Sequence, residues 1–239
     1  MKKNISKLSF LLLLIVLNCK YQAFGQLTVD EIIAKHLQTT GLEKIGSELK
    51  MFKIEGEMLQ GKLRSPLIIN GIIPDKLRMD MVYKDQNYIK ISNGDKSWDY
   101  NPTNDSIISY SNKKVEAQNF IERLTGELYN YKSDSMQVNL VGLVSIDDVE
   151  LYKLELIDNK SIRIYYIDKL SFLIRRIDDD VVENRITYYT NYRKVGKYFL
   201  PFSLIGFEGG VSSISMQFKS IIINPDIKSE LFDKPLLKR

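Results

Sequence analysis

The feature that most constrains this chain is a two-residue alternation of apolar and polar side chains, begun at Met51 and repeated, between polar turns, almost to the C-terminus. Alternation of that period builds strands with one face toward a core and one toward water. The clearest case is Tyr88–Pro102, YIKISNGDKSWDYNP. Ile89 and Ile91 share one side of the first strand, opposite Tyr88, Lys90 and Ser92. Asn93-Gly94 supplies a turn that tolerates positive φ. The return strand puts Trp98 and Tyr100 on a common face, and Pro102, which donates no ladder hydrogen bond, closes it.

Other stretches repeat the pattern. Phe52, Ile54, Gly56 and Met58 alternate with Lys53, Glu55, Glu57 and Leu59; Leu67–Ile69 follows, and then Leu77, Met79, Met81 and Tyr83 alternate with Lys76, Arg78, Asp80 and Val82. The methionines suit an irregular core, and equally a surface that accepts varied apolar ligands. Ile107–Tyr110, Gln137–Leu143, Leu151–Ile157, Ser161–Asp168, Phe172–Asp178, Asn184–Tyr192, Tyr198–Phe207 and Val211–Ile222 read as further strands. About ten or eleven strands, joined by short polar connections, predict one antiparallel sheet that curls into a half-open barrel.

Helical spacing occurs in two places. Thr28 and Glu31 have capping-box spacing, Gly41 is a stop, and Val29, Ile32, Ile33, His36 and Leu37 share a face, so a helix is expected over 28–40. Leu42–Leu49 forms a second short helix. Between strands, Val115–Tyr131 loses alternation: Phe120, Ile121, Leu124 and Leu128 fall at helical spacings with Gly126 as a break, which predicts a covering lid or a plug. Asp178-Asp179-Asp180 reads as a solvated turn, and Ser229–Phe232 as a short closing helical turn after Asn224-Pro225.

Residues 1–25 read as a signal peptide, with Lys2, Lys3 and Lys7 before the apolar run Phe10–Leu17 and a small-x-small triplet at Ala23-Phe24-Gly25. These residues hold four lysines and no acid, so the formal charge of +4 falls to zero without them. A neutral remainder from 26 to 239, read as a single domain, excludes the basic face that a nucleic-acid partner requires. Cys19, the only cysteine, either leaves with the signal or is acylated and retained; Asn18 before it departs from the small residue a lipobox carries, which favours the first. The one histidine, His36, lacks partners for a metal cluster and reads as packed or hydrogen-bonded. There is no nucleophile elbow, P-loop or dinucleotide fingerprint, so neither an enzyme nor a cofactor is expected.

In order along the chain, TVDEIIAKHLQTTGLEKI, PDKLRMDM, ISNGDKSWDYNP, YKLELIDNKSIRIYYID, YRKVGKYFLPF and INPDIKSELFDKP resemble the outer-membrane lipoprotein-sorting superfamily of LolA- and LolB-like proteins, in its Bacteroidetes-type form. The resemblance implies a half-open antiparallel barrel around a hydrophobic cavity, with helices as lid, in a monomeric periplasmic carrier that shields lipoprotein acyl chains. It implies acylated lipoproteins or other lipids as partners, an inner-membrane release complex as donor and an outer-membrane acceptor as recipient. Met79, Met81, Trp98, Tyr100, Phe120, Ile121 and Leu124 are the cavity residues it suggests, and Arg78 the strand arginine that latches the lid. Related folds also serve as lipid-sensing envelope modules, and a packed barrel without ligand is the third reading.

Overall fold

A computed structural model describes residues 27–111, 117–132, 136–158, 161–179 and 185–237. The expected signal peptide, Cys19 and Asp180 lie outside them. After helices α1 (Val29–Thr40) and α2 (Ile45–Glu48), which flank a 3-10 turn at Leu42–Lys44, come β1 (Met51–Gln60), β2 (Leu63–Ile72), β3 (Lys76–Tyr83), β4 (Gln86–Asn93), β5 (Lys96–Asn101) and β6 (Ser106–Ser111). Helix α3 (Ala117–Thr125) precedes β7 (Gln137–Ile146), β8 (Val149–Asp158), β9 (Ser161–Asp168), β10 (Ile174–Asp179), β11 (Arg185–Val195), β12 (Tyr198–Glu208) and β13 (Val211–Ile223). A 3-10 turn at Ser229–Phe232 ends the ordered elements and buries Phe232 completely, as its sequence suggests.

The thirteen strands form one open antiparallel sheet in the order β6-β5-β4-β3-β2-β1-β13-β12-β11-β10-β9-β8-β7. Ten or eleven was an undercount, since every alternating segment forms a strand, including the short apolar runs Leu67–Ile69, which grows into the ten residues of β2, and Ile107–Tyr110, which lies within the edge strand β6. Two meanders, β1–β6 and β7–β13, meet where β1 pairs with β13. Asn224 clamps that seam: its side chain accepts from the Lys50 and Met51 amides and donates to the Glu48 carbonyl.

The helices pack on one face of the sheet, the inner face. Alternation there delivers Phe52 and Ile54 of β1, Leu67 and Ile69 of β2, and Phe218 and Ile221 of β13 into one cluster with Leu42, Ile45, Ile121 and Leu124. A second cluster joins Ile32 and Ile33 of α1 to Leu154, Tyr165, Ile167, Ile174 and Tyr189. Phe52 lies over Gly71, where an added Cβ would stand 2.2 Å from its ring, and stacks on Phe120 of α3 at 5.7 Å. Burying each such aromatic stabilises the fold by about 2–3 kcal/mol.

Helix α1 starts at the expected capping box and stops at Gly41, whose φ of 72° needs no Cβ. It is pinned by His36, whose Nδ1 stands 2.8 Å from the Phe172 carbonyl in the β9–β10 turn, while Phe172 stacks on Tyr152. His36 is packed and hydrogen-bonded, as expected. The expected solvated turn at Asp178–Asp180 is corrected: Asp178 and Asp179 end strand β10, where Asp178 pairs with Arg176 and accepts from the Tyr166 hydroxyl. Periodicity from Ile174 through Ile177 carries the strand into this acidic run.

Burial holds the His36 imidazole down at about 4, from an ordinary value of 6.5, against the opposing pull of the Phe172 carbonyl. The folded state keeps the ring neutral, so the unfolded chain takes up the proton first as pH falls below 6.5. Stability attributable to this group is therefore intact at neutral pH and declines toward pH 4 by about 3 kcal/mol. Urea unfolding at a series of pH values, compared between the native chain and His36→Gln, should show this extra loss only in the native chain; parallel curves would refute it.

Candidate functional site

A cavity of about 730 Å³ opens between α3 and the inner face of β9 to β13. Its floor follows from register. Tyr165, Ile177, Thr187 and Gly206 are successive cross-strand partners, and so are Tyr189, Leu204 and Met216 in the neighbouring row. Tyr165, Ile177 and Tyr189 are buried, with Leu204 and Met216 half-buried beside them. From above, α3 contributes Asn119, Glu122 and Arg123, while its Ala117, Ile121 and Leu124 turn to the core.

Charged groups gather at neighbouring strand ends. Asp158 at the end of β8 is paired with Ser161 at the start of β9, Asp179 at the end of β10 with Arg185 at the start of β11, and Glu208 ends β12. Arg185 binds Glu208 at 2.6 Å. Arg163 pairs with Glu127, just beyond α3, and with Asp158 at 3.0 Å. Burial works against the Arg163 charge, but the hydrogen bond and charge of Glu127 raise its pKa on balance. This end lies away from α1, which is fixed at the opposite ends of the strands through the β9–β10 turn.

Three bonds hold the C-terminal end of α3 over the cavity. Besides Arg163–Glu127, the Tyr189 hydroxyl donates to the Arg123 carbonyl at 2.8 Å, and the Glu127 amide donates to the Tyr165 hydroxyl at 3.3 Å. Burial pushes both tyrosines well above their ordinary values, so the hydroxyls remain protonated. Gly126 ends the helix, as its sequence suggests, with φ of 76°; a Cβ there would meet Ile174 at 2.8 Å.

The residues that sequence reasoning assigned to one cavity are divided by the sheet. Met79 and Met81 lie on the inner face, since Met79 pairs with Ile69 and Met81 with Leu67, and both pack half-buried against the first cluster beside Phe120. Ile121 and Leu124 face the same cluster, and none of these five lines the cavity. Trp98 and Tyr100 are on the opposite face: Trp98 pairs with Ile91 and Ile91 with Arg78, which alternates with Met79 along β3. Arg78 accordingly cannot reach α3. It grips Asp80 at 2.7 Å and donates to the Leu231 carbonyl at 3.1 Å, holding the C-terminal turn against the outer face.

What sequence reasoning missed was Arg163, Tyr165 and Tyr189. The available signal was an arginine in the SIRIYYID strand on the same side as Tyr165 and Ile167, a charge in an otherwise apolar row. A smaller polar hollow of about 420 Å³ lies on the outer face around Glu57, Thr190, Ser203 and Gln217. Among the described residues, no group of three or more His, Cys, Asp or Glu side chains is placed to hold a metal ion. None of their helices is long and apolar enough to cross a membrane.

Solved structures share this architecture. An outer membrane lipoprotein-sorting protein domain from Vibrio parahaemolyticus matches with a TM-score of 0.53 and 11% identity over 84% of this chain and 97% of that one. A LolA superfamily protein from Nitrosomonas europaea matches with 0.53 and 14% over 87% and 99%. A DUF1329 family protein from Desulfovibrio piger matches with 0.55 and 12% over 84% and 97%. The chain thus has the LolA-like fold that its sequence resemblance implies. No protein-family model and no curated protein matches the sequence.

Removing the arginine in Arg163→Met leaves Glu127 half-buried without its partner, which should destabilise the protein by about 2 kcal/mol. Hydrogen exchange across 117–127 should accelerate more than exchange in β1 and β2. A Glu127→Gln, Arg163→Met double variant should recover part of the loss. Additive losses with unchanged exchange in α3 would show that the pair does not hold the helix.

Proposed function

We propose that this protein is a periplasmic carrier that shields the acyl chains of lipoproteins in the cavity under α3 for transfer to the outer membrane. The observation that carries this reading is an apolar floor of ligand-binding size, roofed by a helix, in a LolA-like fold. Leu204, Met216, Ile177 and the faces of Tyr165 and Tyr189 offer contact without directional demands, and methionine adapts to irregular chains. The half-buried Met58, Met79 and Met81 continue the apolar inner face toward β3. Entry of a second chain along that direction requires α3 to lift, because Phe120 fills the path by stacking on Phe52.

The energetics require a container and no catalyst. Each methylene kept from water contributes about 0.8 kcal/mol, so a chain of about sixteen carbons costs roughly 12 kcal/mol to hold in solution. A cavity that recovers most of this allows diffusion between membranes. Transfer then depends only on a recipient that binds the chains more tightly. Residues 1–25 fit delivery of such a protein across the inner membrane, and a donor complex and an acceptor at the two membranes complete the scheme.

Displacement of a bound hydrophobic dye tests the reading. A triacylated peptide should displace it, and the same peptide without acyl chains should not. Leu204→Arg, which places a charge on the cavity floor, should weaken displacement at least tenfold while far-ultraviolet circular dichroism stays native. Dye binding that survives Leu204→Arg unchanged, or no displacement by the acylated peptide, would overturn the assignment.

A further inference from the structure

The acyl chains that the carrier reading places under α3 are joined to a polypeptide, which has to leave the cavity and run along some surface. The sheet edge beside the cavity is β7. Met136, the residue before β7, lines the cavity together with Asp158, and Ile157 next to Asp158 pairs with Gln137 at the start of β7. The row of floor residues Ile177 and Tyr165 also continues through Leu154 to Leu140 of β7. Among the described residues β7 is the last strand of the sheet, and no backbone bond beyond its ladder with β8 involves it. Its ten residues, QVNLVGLVSI, include no lysine, carboxylate or proline, the residues with which an edge is normally blunted. Val141 and Leu143 stand 56% and 44% exposed along it. A bulge between Leu140 and Gly142 bends the strand and leaves Gln137–Leu140 in regular register beside the cavity. The other edge, β6, is uncharged too, but it has six residues and contributes none to the cavity.

We propose that β7 docks the peptide segment next to the acylated residue as an added strand, so that the cavity takes the chains and the sheet edge takes the backbone. This rests on the carrier reading above and adds to it how the attached polypeptide is held. Strand addition relies on main-chain hydrogen bonds, which every residue except proline can make, and so suits a carrier of many different polypeptides. Because β7 carries no charge, it neither demands nor refuses a charged side chain opposite it. An added strand lies about 4.8 Å beyond β7, and pairing along Gln137–Leu140 needs only ~13 Å of extended peptide. A second copy of this chain fits the edge less well. Two rigid strands that both bend at the bulge follow one another only over short runs, whereas a flexible peptide needs just one of them. A membrane phospholipid of the same chain length has no peptide to offer, so the edge separates two classes of ligand that the apolar floor alone cannot.

The test uses dye displacement from the purified protein with three probes of one chain length. They are an N-palmitoyl octapeptide of alternating serine and threonine, the same lipopeptide with proline at every second position, and palmitamide. The proline form lacks the donors that a ladder needs. The serine–threonine lipopeptide should displace the dye at a concentration about tenfold lower than the other two, which should be alike. Hydrogen exchange of the β7 amides should slow about tenfold or more with that lipopeptide and stay unchanged with palmitamide. Equal displacement by all three would overturn the docking strand while leaving the carrier reading standing. A preference for the serine–threonine lipopeptide without slowed exchange in β7 would put the peptide elsewhere and overturn it as well. So would β7 amides already protected without ligand in a protein that sediments as a dimer, which would give the edge to a second copy. Failure of all three probes, together with the triacylated peptide, would overturn the carrier reading and this inference with it.

Discussion

Everything in this molecule depends on the pairing of its first strand with its last. Because β1 and β13 lie side by side at the middle of the sheet, the strands nearest the centre of the sequence, β6 and β7, are driven to opposite edges. The chain between them has to travel from one edge to the other, and α3 lies on that route. A segment that crosses the sheet is therefore a requirement of topology, and packing with the first apolar cluster sets α3 over the inner face. The amphipathic spacing of Ala117, Ile121 and Leu124 then decides which side of the crossing segment meets the core, and Asn119, Glu122 and Arg123 are left facing the cavity.

The polar groups beneath α3 carry an energetic tension. An apolar wall would bury the same area without the desolvation cost of Arg163, Glu127 and Asp158, and such replacements are often neutral or stabilising. What the ion pairs and tyrosine hydroxyls supply is direction: each bond ties one atom near the end of α3 to one atom of the sheet. A helix held only by Ile121 and Leu124 has freedom to slide along methionine-rich neighbours, since Met58, Met79, Met81 and Met216 accept many packings. Directional bonds at one end and soft packing along the length give a cover that is placed accurately yet able to shift.

Strand locations were largely legible in the sequence, and so were the caps of α1, the Gly126 break and the closing turn at Ser229–Phe232. Each follows from local chemistry. The grouping of residues into a site was not legible, and β3–β5 show why. Alternation states which residues of one strand share a face, but the turn sets how that face continues into the next strand. The two-residue turn at Lys84-Asp85, with φ of 48° and 60°, pairs Tyr83 with Gln86. Met79 thereby meets Lys90, and Arg78 meets Ile91. Apolar residues in consecutive strands thus fall on opposite faces, and Trp98 follows Ile91 to the outer side. That side also needs apolar residues, because Phe232 and its turn pack there, a partner some 130 residues further along the chain that no local pattern announces. The cavity residues were hidden for the same reason. Arg163, Asp179 and Glu208 look like ordinary strand-end charges until the hairpins bring them together.

The seam at Asn224 also has a consequence for when this fold can exist. Its side chain bonds the backbone at Lys50 and Met51, 174 and 173 residues earlier. A chain made from its N-terminus onward offers β1 only half of its neighbours until the last strand emerges, and the loop to be closed spans 173 residues of the 239. Contacts of such long separation are late and slow to form. The two meanders can assemble as separate hairpin arrays, each with an incomplete inner face, but the cavity and its roof come into being together, at the final step, when the ends of the sequence meet.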